Sequence, residues 1–413
     1  MFSDDRELLV FTELTVNFKE AVITIKASDA IQQMYLYHDK QSRLLMLSYE
    51  TEEKVKEIAL ARIEGSPILQ QGGVESVDGR VSIRVSLEKC SLCSLMTSMK
   101  QSSSVSELCI SRGGERLRVS CAFCGETLTR EGGGRVKRIR PLPSEGWECM
   151  AEEWFCHPVL DSEGESVSPM ENVEKLSLKP RKDDVFYTEM FYLLSGYNVC
   201  KKGSHRKIEL GNKREGLTVT CEVCDQLLGS EYENWVELYQ CQVQLKLSPL
   251  VGTAIATQVV NRHVERMVGQ LCRKLRLEGH VCRVIVKPFE ADPMHVILPT
   301  GLKDPWPTSR VLGFLWLLEP EWSVSVFSSR RGRSEYESGK VVQLMYLTRI
   351  EGRERIEAFP WELWLTDNEA YKLEIPYSMC QQLFQQLLRS SCLLPPQHKS
   401  MGTSMKLGFL RTV

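Results

Sequence analysis

The sequence predicts a mainly β protein with a few helices, an α+β chain arranged as two β-rich halves. Three observations carry that expectation. The first third is written in β-branched and aromatic segments separated by charged breaks. Only two stretches keep helical spacing over several turns. One Cys-x-x-Cys pattern occurs twice, each time at the end of a strand-like segment. The 413 residues exceed what one core usually serves. Apolar residues at 42% and charged residues at 26% are ordinary for a folded soluble chain.

The elements follow in order. "LLVFTELTVNF", "AVITIKA", "QMYLYH" and "RLLMLSYE" read as strands. "GRVSIRVSLEKC" continues them, with Val81, Ile83 and Val85 on one face. "KQSSSVSE" reads as a loop, then "RGGERLRVSC" and "REGGGRVKRIRPLP" as hairpin pieces turned at Gly132–Gly134. Those glycines match no phosphate loop, because no Gly-Lys-Ser/Thr follows. The stretch 160–184 is polar and carries two Pro, so it reads as a linker. It divides the chain into domains 1–159 and 185–413. Beyond it, "ENWVELYQCQVQLKLS" reads as one long strand.

"TAIATQVVNRHVERMVGQLCRKLRL" predicts a helix capped at Thr253. Its apolar stripe is Ile255, Val259, Val260, Val264, Met267, Val268, Leu271 and Leu275, with His263 beside it. "VCRVIVKPF", "MHVILP", "GFLWLL", "WSVSVFS" and "VVQLMYLTRI" read as strands, and "SSRRGRSEYESGK" as a solvated connection. "SMCQQLFQQLL" predicts a second helix and "SMKLGFL" a last strand.

Net charge is −2, which gives no electrostatic case for direct nucleic-acid binding. The local run Arg135, Lys137, Arg138 and Arg140 reads as the solvated face of a strand. The longest apolar run, Val311–Leu318, falls far short of the roughly 20 residues a membrane span needs. The start, "MFSDDRELLVF", is acidic where a signal peptide is positive. A cytoplasmic or nuclear location follows as an expectation. There the 15 Cys would stay reduced and serve as ligands, nucleophiles or apolar fillers.

Leu117–Leu128 reads "LRVSCAFCGETL" and Leu217–Leu228 reads "LTVTCEVCDQLL". Both obey L-x-V-x-C-x-x-C-x-x-x-L. Two such knuckles supply four thiolates, the tetrahedral set that structural zinc prefers. One Zn²⁺ held by Cys121, Cys124, Cys221 and Cys224 would tie the two halves together. The alternatives are separate redox pairs or buried apolar Cys. Cys90 and Cys93 form a third pair without a mate, and fit the start of an apolar element as well as a metal site.

The stretch "PLPSEGWECMAEEWFCHP", Pro141–Pro158, packs two Trp, two Cys and a Cys-His-Pro into a short space. Together with the first knuckle, the run C-x-x-C-G-E…R-x-x-PLPSE-x-W…EW-x-CHP resembles the HECT-like, E2-binding ubiquitin ligase family. "LEIPYSMCQQLFQQLL" is similar to that family's C-terminal Leu-Pro…Cys-helix segment. The resemblance implies an E3 ligase with an E2 and ubiquitin as partners. It places Cys380 as the thiol that would accept ubiquitin, although the family's Thr before it is Met379 here. The residues pull the other way: Cys380 lies on an apolar stripe with Leu383, Phe384 and Leu387 and no basic neighbour. Cys392 has Arg389 nearby but matches the family pattern less well.

The resemblance also implies a second class of function. Members are associated with the metallo-β-lactamase-type endonuclease of pre-mRNA 3′-end processing. Trp147 and Trp154 would anchor in such a partner. Cys156 would cap its active-site zinc, with His157 as orienter or second ligand, and Pro141, Pro143 and Pro158 would stiffen the segment. The same segment could instead plug the β-core beside the chain's own metal.

Overall fold

The computed structural model describes residues 6–15, 20–27, 31–41, 44–51, 55–64, 75–77, 80–86, 91–93, 115–129, 134–142, 159–160, 166–167, 180–199, 207–209, 215–232, 235–249, 258–260, 263–279, 281–288, 311–330, 333–349, 359–394 and 404–412. The expected mainly β architecture is present, with helices at Val264–Glu278 (α1), Trp361–Thr366 (α2) and Tyr377–Leu393 (α3). The chain forms two compact units: Met1–Lys100 with Val268–Val413, and Gln101–Met267. The stretch 160–184, expected as a linker, lies within the second unit.

The first unit holds a 10-stranded sheet. Its path places strand Arg6–Thr15 between Glu20–Ala27 and Trp322–Arg330, antiparallel to both. The strand is flanked on each side because its apolar run, Leu8 to Phe11, is buried throughout. Farther along the same sheet, Arg283–Pro288 pairs in parallel with Tyr371–Ile375. Lys406–Arg411 pairs with the second half of Arg333–Thr348. The core includes Leu9, Phe11, Ile285, Phe314, Trp322, Met345 and Phe409. A separate four-stranded sheet begins with Ile31–Asp39, Leu44–Thr51 and Val55–Glu64.

Helix α3 docks on this unit through Met379, Cys380, Leu383, Phe384 and Leu387. Its approach is close. A Cβ at Gly313 would strike the Phe384 ring and stand 2.5 Å from the Leu347 carbonyl oxygen. Near the helix end, Ser390 Oγ donates to the Leu387 carbonyl at 3.0 Å and accepts from the Phe409 amide at 3.0 Å. Helix α1 buries Met267, Val268, Leu271 and Cys272. Gln270 donates to the Thr412 carbonyl at 2.9 Å.

The second unit holds a seven-stranded sheet and a four-stranded sheet. Leu117, Val119, Tyr192, Leu194, Leu228, Val236, Leu238 and Leu245 are among its core residues. Of the six apolar positions of the repeated motif, Leu117, Val119 and Leu228 are in this core and Leu128 and Val219 pack against it, whereas Leu217 is exposed.

Three expectations need correction. The long strand read at Glu233–Ser248 is two strands, Trp235–Tyr239 and Val243–Pro249, in different sheets. Gln240, fully buried, breaks it by donating its side-chain amide to the Thr188 carbonyl at 2.6 Å. The helix read from Thr253 begins only at Val264; Gln258–Val260 pairs instead with Val243–Pro249. Val259 and Val260 are β-branched and satisfy either pattern, so tertiary pairing decides. His263 is the exposed residue before α1, and its carbonyl accepts the Met267 amide. The connection read at "SSRRGRSEYESGK" is mostly strand: Trp322–Arg330 and Arg333–Thr348 stay paired out to Arg330 and Arg333. Backbone pairing there proceeds without apolar alternation.

Candidate metal centre

The two knuckles repeat in space as they do in sequence. Strand Glu115–Cys121 leads into the first and Glu215–Thr220 into the second. In the first, the Cys121 amide donates to the Glu126 carbonyl at 2.8 Å and the Gly125 amide to the Cys121 carbonyl at 3.0 Å. In the second, Cys221 donates to Gln226 at 2.9 Å and Asp225 to Cys221 at 2.9 Å. The residue after each second cysteine is left-handed, Gly125 at φ +79° and Asp225 at φ 53°. No atom lies within 4 Å of where a Gly125 Cβ would sit, so conformation and not space selects glycine there. Aspartate is among the residues that tolerate this region.

The turns bring all four Sγ atoms within 4.8 Å of one another. Cys121 Sγ stands 3.7 Å from Cys224 Sγ, and Cys124 Sγ 3.5 Å from Cys221 Sγ. Disulfide sulfurs would be about 2.05 Å apart. Sulfurs at about 2.3 Å from one tetrahedral Zn²⁺ would be about 3.8 Å apart. The donor set therefore fits a zinc-type ion, which would supply cross-bracing and, with four protein ligands, no open position for a substrate. Electrostatics agree. The Glu126 amide holds the Cys124 thiol below its ordinary value. The Gln226 amide lowers Cys224, but burial and the three other thiols outweigh it and push it up to about 12. Burial pushes Cys121 up. A cation would offset the mutual repulsion of thiolates packed this closely.

All four cysteines belong to the second unit, so an ion held there would join two strand ends inside it. The neighbouring basic run is only partly a free solvated face. Arg138 holds buried Asp184 through two hydrogen bonds, at 2.7 and 2.9 Å, and Lys137 meets Asp183 at 2.7 Å. These pairs accompany the parallel pairing of Arg138–Pro141 with Asp184–Tyr187.

The other predicted residues fall elsewhere. Cys380 lies in the first turn of α3 with no exposed surface, its Sγ 3.7 Å from the Ile375 carbonyl oxygen. Cys392 is exposed in the last turn of the same helix. Trp147, Trp154, Cys156, His157, Pro158 and Cys90 lie outside the described residues; Cys93 ends the short strand Ser91–Cys93. Among the described residues, no helix is long and apolar enough to cross a membrane.

A sequence profile described as "HECT-like Ubiquitin-conjugating enzyme (E2)-binding" matches residues 6–407. The chain belongs to this family. Curated relatives carry the name E3 ubiquitin-protein ligase. The Homo sapiens protein is 22% identical over 347 residues, covering 77% of this chain and 76% of its own length. The Mus musculus protein is 24% identical over 304 residues, covering 70% of each. The Pongo abelii protein is 22% identical over 320 residues, covering 70% of this chain and 72% of its own. No solved structure matches significantly.

One feature of the centre escaped the sequence reading. The residues inside the knuckles, Phe123 and Val223, are 79% and 65% exposed. The signal was present: Phe123 and Val223 sit inside the turn of a C-x-x-C, beyond the end of the strand whose alternation faces the core.

Proposed function

We propose that this chain is an E2-binding protein of the ubiquitin ligase type, braced by one structural Zn²⁺ on Cys121, Cys124, Cys221 and Cys224. The observation that carries the reading is the span of the family match, residues 6–407, nearly the whole chain. The relatives' name adds the ligase activity as the expected output.

Two forms of that function differ at Cys380. In the first, the Cys380 thiolate attacks the carbonyl carbon of the E2–ubiquitin thioester. The E2 thiolate leaves, ubiquitin is carried as a new thioester, and a substrate lysine then displaces Cys380. This step requires the first turn of α3 to open, because the thiol has no exposed surface. In the second, the chain binds its partners without carrying ubiquitin, and Cys380 serves packing. Its burial against the Ile375 carbonyl favours this form. The partner implied by resemblance, a 3′-end-processing endonuclease engaged by the Trp147–Pro158 segment, belongs to the same form.

The test supplies E1, ubiquitin and a charged E2. A ubiquitin adduct that a reductant removes, absent in Cys380→Ser and retained in Cys392→Ser, supports the thioester form. E2 binding with no adduct supports the second. Cys156→Ser then reports on the endonuclease: unchanged capture of that enzyme would remove the capping role.

A further inference from the structure

We infer that the tips of the two metal knuckles, Phe123 and Val223, form the docking surface for the E2. This rests on the E2-binding reading above and assigns the surface that performs it. Phe123, at 79%, is the most exposed large apolar residue among those described; Leu363 is next at 67%, then Val223 at 65%. A single exposed apolar residue needs no explanation. Two at the same position of a structural repeat, flanking one sulfur cluster, do. Neither contributes to the core that Leu117, Val119 and Leu228 build beneath the knuckles.

The mounting suits an interface. Each tip lies between two cysteines and is held by paired backbone hydrogen bonds. A side chain presented on a rigid turn loses little entropy when it docks, and aromatic anchors are the residues that dominate such interfaces.

Charge states what the partner offers. Glu126, Glu222 and Asp225 are all exposed around the tips. Neither Cys121–Thr129 nor Cys221–Ser230 contains a Lys or Arg. Four thiolates on one divalent ion leave the centre itself negative. The complementary face is an apolar cleft rimmed by Lys and Arg, and the partner class the family description prints is an E2. Leu363 on α2 of the first unit is exposed to a similar degree but has no counterpart in a repeat.

The experiment titrates the zinc-loaded 413-residue chain against a panel of purified E2 enzymes, with zinc content and melting temperature measured in parallel. The double variant Phe123→Asp, Val223→Asp should keep its zinc and its melting temperature and lose at least about tenfold in E2 affinity. Glu126→Lys with Glu222→Lys should weaken binding severalfold, and added NaCl should weaken the wild type. Leu363→Asp should bind as the wild type does. Unchanged affinity of the Phe123/Val223 variant, with the wild type binding, overturns the surface and leaves the E2 reading intact. Loss with Leu363→Asp alone also overturns it. Failure of the wild type to bind any E2 overturns the reading and the surface together.

Discussion

Asp225 shows how one residue records the constraint of a motif. It adopts the left-handed backbone that its counterpart in the first knuckle gives to Gly125. Gly125→Ala should therefore cost about 1–2 kcal/mol by strain alone, and Asp225→Gly should be tolerated. Chemical denaturation of the two variants checks both. The cysteines carry a larger consequence. Cys221→Ser should abolish stoichiometric zinc and lower the melting temperature of the zinc-loaded protein, as measured by metal analysis and calorimetry. Two surface carboxylates predict the response to acid. Hydrogen bonding from Lys137 holds Asp183 below its ordinary value, and Arg273 does the same for Glu321. A depressed carboxylate stabilises the fold above its unfolded pKa, and that contribution disappears as pH falls through the folded value. Glu321→Gln should thus flatten the loss of stability below about pH 4. The effect is small, because both partners are largely solvated.

Among the elements, α3 gives the sharpest expectation. Gly313→Ala drives a methyl into Phe384 and the Leu347 carbonyl, both of which are buried. It should destabilise by about 1–3 kcal/mol in urea unfolding. Leu387→Ala, on the same face, should cost about 2–5 kcal/mol. This helix was legible in the sequence because Met379, Cys380, Leu383, Phe384 and Leu387 repeat at the spacing that one buried face requires. The knuckles were legible because metal geometry fixes the cysteine spacing and the flanking strand. Other boundaries were not. Gln240 interrupts a strand through a hydrogen bond to Thr188, 52 residues away, which no local window contains. Val259 and Val260 fit helix and strand alike until the Leu245 pairing is known. The Trp322–Thr348 hairpin runs past its apolar residues because each backbone group pairs with the opposite strand whatever the side chain.

At the scale of the molecule, each unit has its own core, and only the second contains the four cysteines. Chelation should therefore lower the stability of Gln101–Met267 and leave the protection of Met1–Lys100 and Val268–Val413 nearly unchanged. Hydrogen exchange with and without a chelator reads this directly, and equal loss in both units would contradict it. The order of the units was invisible to sequence reading. Nothing local in Arg6–Thr15 announces that its partner is Trp322–Arg330, because register between distant strands is set by the core they share.

That pairing also sets a schedule for synthesis. Glu13 accepts a hydrogen bond from Trp322, which lies 309 positions later. At ribosomal speeds the first strand waits on the order of tens of seconds for this neighbour. Gln101–Met267 is by then already translated and free to fold. The nascent chain thus carries an unfinished β edge past a completed domain, and chaperones that shield such edges should crosslink to residues 6–15 until translation passes Arg330.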